Sequence, residues 1–375
     1  MKYKLYRPDD MSAEQWQVYA DLRNARDIYD NPFFDPDFAR LVGEVREDTR
    51  IGFASDAKGV FAVWPMHIRP GNWARPIGSP FSDWNGPILA ENVELLPQEI
   101  LAGFDVSGFT TNGFLPQSQS PNPSMTRVGA NMSDLSRGCD TFLAEQQKHW
   151  PKHFKKMRRI YRNIDRDFSE MRFEWDDRSD DTYQRLIELK REQYVRTGFF
   201  DVLKAPWVQA LFDRLRRFEG PRLRARMLSI YFDGRLAASE FNLQSDTVLH
   251  GWITAFDQQF KSYSPGHVLL QETLRRVCAD GIRFYDSGPG LDEYKRHYSN
   301  IQMPIDAGVV AGAQVQLSPE RVAGRAWRIG EHVMPHPARR LMARARRRMD
   351  QIASVETSFS GRANGLFNAL GNRPD

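Results

Sequence analysis

The stretch from Arg226 to Phe256 restricts the fold most. Three β-prone runs, Arg226 to Phe232, Arg235 to Gln244 and Thr247 to Phe256, follow one another with almost nothing between them. Asp233-Gly234 fills the first gap, and this dipeptide supplies the positive φ that a two-residue hairpin requires. A long antiparallel meander follows from that. Helical patterns bracket it. Tyr183, Leu186, Ile187, Leu189 and Tyr194 recur near helical spacing, and Gly198 can take the left-handed C-cap, which predicts a helix over 181–197. Pro206 at a first-turn position opens a second helix through Trp207, Leu211 and Leu215 that stops before Gly220-Pro221. After the meander, 266–280 is amphipathic through Leu269, Leu270, Thr273, Leu274 and Val277, ends at Gly281, and leads into a strand at Ile282-Arg283-Phe284-Tyr285.

A chain of 375 residues, at roughly 150 per domain, has room for two domains and a remainder. In the first half, Arg50 to Ala54 and Val60 to Trp64 read as a hairpin, followed by a Gly, Pro and aromatic stretch from Gly71 to Pro87. Composition shifts between 140 and 170. From Lys148 to Arg166 eight Lys or Arg stand against one acid, Asp165, which reads as a solvated helix face opening the second domain or as a strip facing phosphate. Two cysteines, Cys139 and Cys278, are too few for a disulfide scaffold or clustered zinc ligands, so a reducing compartment and no metal are expected. There is no secretory apolar run at the N-terminus and no window near the roughly 18 apolar residues of a membrane span, which fits a cytoplasmic protein. No repeat of fixed period is visible in the sequence.

The order helix, helix, three-strand meander, loop, helix, strand resembles the core of the GNAT acyltransferase fold. Local residues sharpen the likeness. Tyr285-Asp286-Ser287-Gly288-Pro289-Gly290-Leu291-Asp292-Glu293-Tyr294-Lys295 is similar to the strand, glycine turn and Tyr-Lys ending of the FemAB-like acetyltransferases related to the cellulose-biosynthesis CelD proteins. Ser264-Pro265-Gly266 matches their turn before the helix, Phe154 to Arg159 their basic opening, and Ser82-Asp83-Trp84-Asn85-Gly86-Pro87 their first-domain turn. The resemblance spans residues 30 to 305. It implies an α+β chain of tandem GNAT-like domains with mixed, largely antiparallel sheets flanked by helices. The expected division is an acceptor-side domain at 1–145, an acyl-donor domain at 146–317 and a basic helical tail at 318–375. The phosphate loop departs from the common GNAT pattern, since Gly266 alone remains of its spaced glycines.

Acyl transfer to an amine needs a base for the ammonium proton, donors for the oxyanion and an acid for the leaving thiolate. Asp257, at the end of the third meander strand, is the first candidate base, and Glu240 and His250 are its rivals; loop capping and core packing are the competing roles. Tyr294 or Tyr285 can protonate the thiolate. Ser262, Tyr263, Ser264, Gly266, His267 and Val268 lie where a strand gives way to a helix start, a place suited to the pyrophosphate of acetyl-CoA or another acyl-CoA. Asp83, Trp84 and Trp73 read as an acidic and aromatic cluster for a sugar or lipid-linked sugar acceptor, with Lys295 and Asp286 as further acceptor contacts.

Charge is uneven along the chain. From Pro319 to Asp375 there are 11 basic and 5 acidic residues, a net +6, while the other 318 residues carry 41 and 43, a net −2. A slightly acidic body argues against nucleic acid as a partner and disfavours aminoacyl-tRNA, the donor used by other FemAB-like proteins. In the tail, Leu341, Ala345, Met349 and Ile352 share one face amid arginines, so the helix can lie on an anionic membrane or dock on the body. Arg344, Arg347, Arg348 and Asp350 are candidates for a regulatory site, Arg347 to Asp350 having the Arg-x-x-Asp spacing of cyclic dinucleotide sites. The expected activity is acetyl-CoA-dependent N-acetylation of an amino sugar in a cell-surface or exopolysaccharide precursor, with the inner face of the cell membrane as a peripheral location the tail would allow. An aminoacyl-tRNA-dependent transferase and a catalytically inactive binding protein are the alternatives.

Overall fold

A computed structural model describes residues 1–93, 95–116, 125–290, 293–311, 349 and 351–356, with backbone only at 293 and 294. Thirteen strands form one sheet. They are β1 (Lys2–Tyr6), β2 (Thr49–Asp56), β3 (Gly59–Arg69), β4 (Trp73–Pro76), β5 (Ile88–Leu89), β6 (Gly108–Phe114) and β7 (Met125–Asp134), then β8 (Met171–Glu174), β9 (Arg224–Phe232), β10 (Arg235–Gln244), β11 (Val248–Phe256), β12 (Phe284–Pro289) and β13 (Ile301–Ala311). The helices are α1 (Ala13–Asn24), α2 (Pro36–Gly43), α3 (Pro97–Gly103), α4 (Cys139–His149), α5 (Pro151–Asp167), α6 (Asp180–Thr197), α7 (Pro206–Arg217), α8 (Pro265–Arg276) and α9 (Glu293–Arg296).

The order strand, two helices, three strands, helix, strand runs from β8 to β12, and the same order runs from β1 to β6 with the two-residue strand β5 added before the helix α3. Spatially the sheet runs β1-β2-β3-β4-β6-β13-β7-β12-β11-β10-β9-β8, with β5 paired to β3. Each half therefore lends a strand to the other. β7 lies against β12, β13 lies against β6, and the two lent strands pair with each other from Ile301↔Met132 to Gly308↔Met125. All pairings are antiparallel except β4 with β6 and β11 with β12. This tandem, mixed and largely antiparallel sheet is the fold that the resemblance implied.

The meander forms as its sequence predicts, with Asp233 and Gly234 both at positive φ in the hairpin turn. α6 starts at an N-cap where Ser179 accepts from the Thr182 N–H, and it ends at Gly198 at φ 69°. The strand expected at 282–285 begins later, at Phe284, because Gly281 is still turning the chain and Ile282 is buried in the core. α1, α2, α6 and α7 cover one face of the sheet around a core shared by both halves, in which Phe212 stacks on Trp252 at 4.7 Å and meets Phe81 at 5.4 Å. On the other face, α3 covers the first half, and α4, α5 and α8 cover the second. In α5, Phe154, Met157, Ile160 and Ile164 point inward, and all eight basic residues from Lys148 to Arg166 are exposed.

One sequence expectation changes. Cys139, at the start of α4, and Cys278, in the turn after α8, are joined in a disulfide with a Cα–Cα distance of 6.0 Å. Disulfides persist in oxidising surroundings, so the cysteines no longer favour a reducing compartment. The tail candidates Arg344, Arg347, Arg348 and Asp350 lie outside the described residues. The described end of the tail docks on the body: Ile352 and Val355 are buried, Arg69 donates to the carbonyls of Ala353 at 2.9 Å and Glu356 at 2.6 Å, and Arg46 and Trp207 hold those of Ser354 and Val355. The last carbonyls of a helix have no partner within it, and these side chains supply one. Among the described residues no helix is long and apolar enough to cross a membrane.

Candidate active site

The parallel pair β11 and β12 is short. Val248 meets Phe284, Leu249 meets Tyr285 and His250 meets Asp286, and the ladder goes no further. Where it ends, a cavity of about 770 Å³ opens between the two strands, lined by Gly251, Trp252 and Thr254 on one side and by Tyr285 and Ser287 on the other. The start of α8 contributes Ser264, Gly266 and His267, α5 contributes Lys156, and the first half contributes Asp83. The structure thus brings Asp83, Glu240, Ser264, Gly266, His267, Tyr285 and Lys295, scattered over more than two hundred residues, into one cavity.

Glu240 sits on β10 opposite Thr254 of β11 and is buried. Its carboxylate accepts from Thr254 Oγ1 and, at 2.9 Å, from the Tyr285 hydroxyl. Burial dominates its environment and raises its pKa above the usual carboxylate range, against the lowering effect of these two donors. Gly251 makes the arrangement possible, because a Cβ at that position would collide with the Tyr285 hydroxyl and crowd Glu240. A carboxyl of raised pKa, wired to a tyrosine, can take a proton and pass one on.

His250 lies behind the cavity wall, fully buried, with Nδ1 2.7 Å from Asp286 Oδ2 and Nε2 3.2 Å from Asp83 Oδ2. Burial alone would lower its pKa, but Asp286 and then Asp83 outweigh that and raise it to about 9. Asp286 is also fully buried; despite the opposing effect of burial, His250, the Gly288 N–H and the Trp84 indole hold its carboxyl below the usual range. Asn31 Nδ2 approaches the same carboxylate at 3.2 Å.

Three lysines also line the cavity, Lys156, Lys261 and Lys190, the last donating to the Thr254 carbonyl at 3.0 Å, beside Glu240. A Cβ at Gly266 would meet no protein atom within 4 Å, so the packing of the chain itself does not demand glycine there. His267 is pushed down to about 4 by burial, Lys156 and His297, and His153, stacked 4.0 Å from His297, is pushed to about 3 by burial and the neighbouring histidines. Both rings are neutral at pH 7. Among the described residues no cluster of His, Cys, Asp and Glu is arranged to hold a metal ion.

Several expected site residues stand elsewhere. Asp257 caps the 3₁₀ turn that follows β11, accepting from the Gln259 N–H, and lies 3.3 Å from Arg185; these contacts outweigh burial and lower its pKa, and it does not line the cavity. The acidic and aromatic trio of the first half is divided. Asp83 faces the cavity, Trp84 is buried and donates to Asp286 at 2.7 Å, and Trp73 donates to Thr110 at 2.8 Å away from the cavity lining. Asp286 is sealed behind the wall. Lys295 lines the cavity and donates to the Pro289 carbonyl at 2.8 Å. Ser262 is exposed and Val268 is in the core, while Tyr263 binds Asp167 at 3.0 Å; none of the three lines the cavity. The Tyr294 side chain lies outside the described residues. Lys190, Gln193, Thr254 and Ser287 line the cavity without having been singled out, and the one signal for this wall was Gly251, a glycine inside a strand.

Residues 151–296 match the family model described as an acetyltransferase (GNAT) domain, so the second half carries a GNAT acyltransferase domain. No curated protein matches the chain. Similar solved structures include the C-terminal domain of a putative lysylphosphatidylglycerol synthetase from Agrobacterium fabrum, at 13% identity and a TM-score of 0.47, covering 84% of this chain and 95% of that one. A tandem GNAT protein from the clavulanic acid biosynthesis pathway has 11% identity and a TM-score of 0.47, covering 84% and 99%. FemX has 10% identity and a TM-score of 0.47, covering 82% and 96%.

Proposed function

We propose that the chain transfers an acyl group, most simply acetyl from acetyl-CoA, to the primary amine of an amino sugar in a cell-surface or exopolysaccharide precursor. The observation that carries this reading is the lining of the cavity, in which the carboxylates of Asp83 and Glu240 share one space with Lys156, Lys261 and the start of α8. Lys156, Lys261 and the helix start suit the donor's phosphates. The carboxylates of Asp83 and Glu240 suit an ammonium group. In the step itself Glu240 takes the ammonium proton, the amine nitrogen bonds the acyl carbon, the C–S bond breaks, and the nitrogen gives up its second proton to water as the amide forms. Tyr285, hydrogen bonded to Glu240, supplies the proton that the departing thiolate needs, and Glu240 restores it. The sugar class rests on the resemblance to the cellulose-biosynthesis relatives.

The test combines calorimetry of coenzyme A with mass spectrometry of amino sugars after incubation with acetyl-CoA. Binding and an acetyl adduct on nitrogen are expected. No binding of coenzyme A at millimolar concentration removes the reading, and binding without turnover on any amine makes the chain a binding protein that kept the fold. One observation favours a second reading: the exposed basic face of α5, which adjoins the cavity at Lys156, suits the phosphates of an aminoacyl-tRNA donor. Displacement of coenzyme A by charged tRNA would select it. We propose the cytoplasmic side, at the inner membrane face, as the place of the reaction; the Cys139–Cys278 disulfide speaks for an oxidising compartment instead, and alkylation of the cysteines in intact cells decides between the two, a protected pair placing the protein outside.

A further inference from the structure

The polar chain from Asp83 through His250 to Asp286 takes no part in the proton transfers assigned to Glu240 and Tyr285. Asp286 is saturated: its Oδ2 accepts from His250, Trp84 and Asn31, and its Oδ1 accepts from the Gly288 N–H at 2.8 Å. It has nothing left for a ligand and no path to one. His250 is closed off as well, with the Phe33 ring edge-on at 4.9 Å. Asp83 differs, because its side chain is 34% exposed and lines the cavity. The surrounding backbone is shaped to this carboxylate. Gly288 has φ +71°, and a Cβ there would come within 2.9 Å of Asp83 Oδ2.

We infer that Asp83 anchors a cationic primary amine in the cavity and that His250 is a positioning residue, an imidazolium held by Asp286 that fixes the Asp83 carboxylate toward the ligand. The inference rests on the acyl-transfer reading and deepens it by naming the residue that anchors the acceptor and the residue that positions that anchor. The groups facing His250 are all acidic: Asp83 from the first-half loop, Asp286 from β12 and Glu240 from β10. An imidazolium among them leaves one negative charge at Asp83 for the ligand. Glu240 remains available for the proton. An uncharged acceptor, such as an alcohol, gains nothing from this arrangement, because an anchored carboxylate without a cationic partner loses hydration without recompense.

The test uses the full chain labelled with ¹⁵N-histidine, with glucosamine as the cationic probe and glucose as its uncharged counterpart. In the free wild-type protein the His250 ring should carry a proton on both nitrogens at pH 7, and Asp83→Asn should move its titration midpoint down by about one pH unit or more. Glucosamine should shift the His250 signals in the wild type and leave them unmoved in Asp83→Asn; glucose should leave them unmoved in both. With acetyl-CoA as donor, Asp83→Asn and His250→Gln should each raise KM for glucosamine about tenfold with a smaller change in kcat, and the double variant should be no worse than either. KM for acetyl-CoA should hold. If His250→Gln does not fold, Asp83→Asn carries the test alone. A neutral His250 at pH 7, no response to glucosamine, or additive effects in the double variant overturns the inference. Turnover that is indifferent to Asp83 leaves acyl transfer standing and removes the anchor. A His250 response without any turnover does the reverse.

Discussion

Glu240 and Asp257 are carboxylates on one meander, and their surroundings assign them different work. Burial raises the pKa of Glu240 in the cavity, whereas Asp257 is engaged by Arg185 and by a turn that it caps. Glu240→Gln should lower turnover about a hundredfold or more and leave coenzyme A affinity unchanged, as measured by steady-state kinetics beside calorimetry. Asp257→Ala should keep turnover within about twofold and cost about 1 kcal/mol of stability in a denaturant titration, the usual loss for a missing N-cap. Sequence alone ranked these two the other way, because proximity to the loop was visible and burial was not. His250 adds a dependence on pH. Folding raises its pKa from 6.5 to about 9, so its contribution to stability is complete below pH 6.5 and is lost as pH climbs through 9. A series of melts across that range should fall toward alkaline pH, and Asp83→Asn should flatten the fall.

Elements whose identity depends on local periodicity were legible. The hairpin turn at Asp233-Gly234, the cap at Gly198 and the amphipathic run of α8 each carry their signal within a few residues. What escaped were relations between elements. The cavity exists because β11 and β12 pair over only three positions, and no local pattern encodes where a parallel ladder stops. Cys139 and Cys278 meet because α4 packs on α8, and the two residues are 139 positions apart. α5 displays both outcomes in one helix: the spacing of its inner face was readable, but the fact that Lys156, alone of the seven Lys and Arg on this helix, lines the cavity was not. Lys156→Ala should therefore weaken coenzyme A binding about threefold to tenfold, less so at high salt, while Arg162→Ala should leave it unchanged; calorimetry at two ionic strengths distinguishes them.

At the scale of the molecule, the two halves are not independent bodies joined by a linker. Removing everything after Leu317 deletes a net +6 of charge, and it also deletes the carbonyls that Arg46, Arg69 and Trp207 hold. Arg46 and Arg69 keep Asp48 as a partner but lose these carbonyls, and a hydrogen bond from a charged donor contributes about 1.5–3 kcal/mol net. The truncated chain should melt several degrees lower by calorimetry, and an unchanged midpoint would make the docked segment ornamental. The exchange of β7 and β13 has a consequence for synthesis. The first half cannot finish its sheet with its own residues, since the place beside β6 belongs to a strand that begins at Ile301. While a ribosome is still translating the second half, the nascent first half waits with an open β-edge, a state prone to mispairing. Chaperone occupancy on ribosome-bound chains should accordingly persist until β13 has emerged, rather than ending near residue 145.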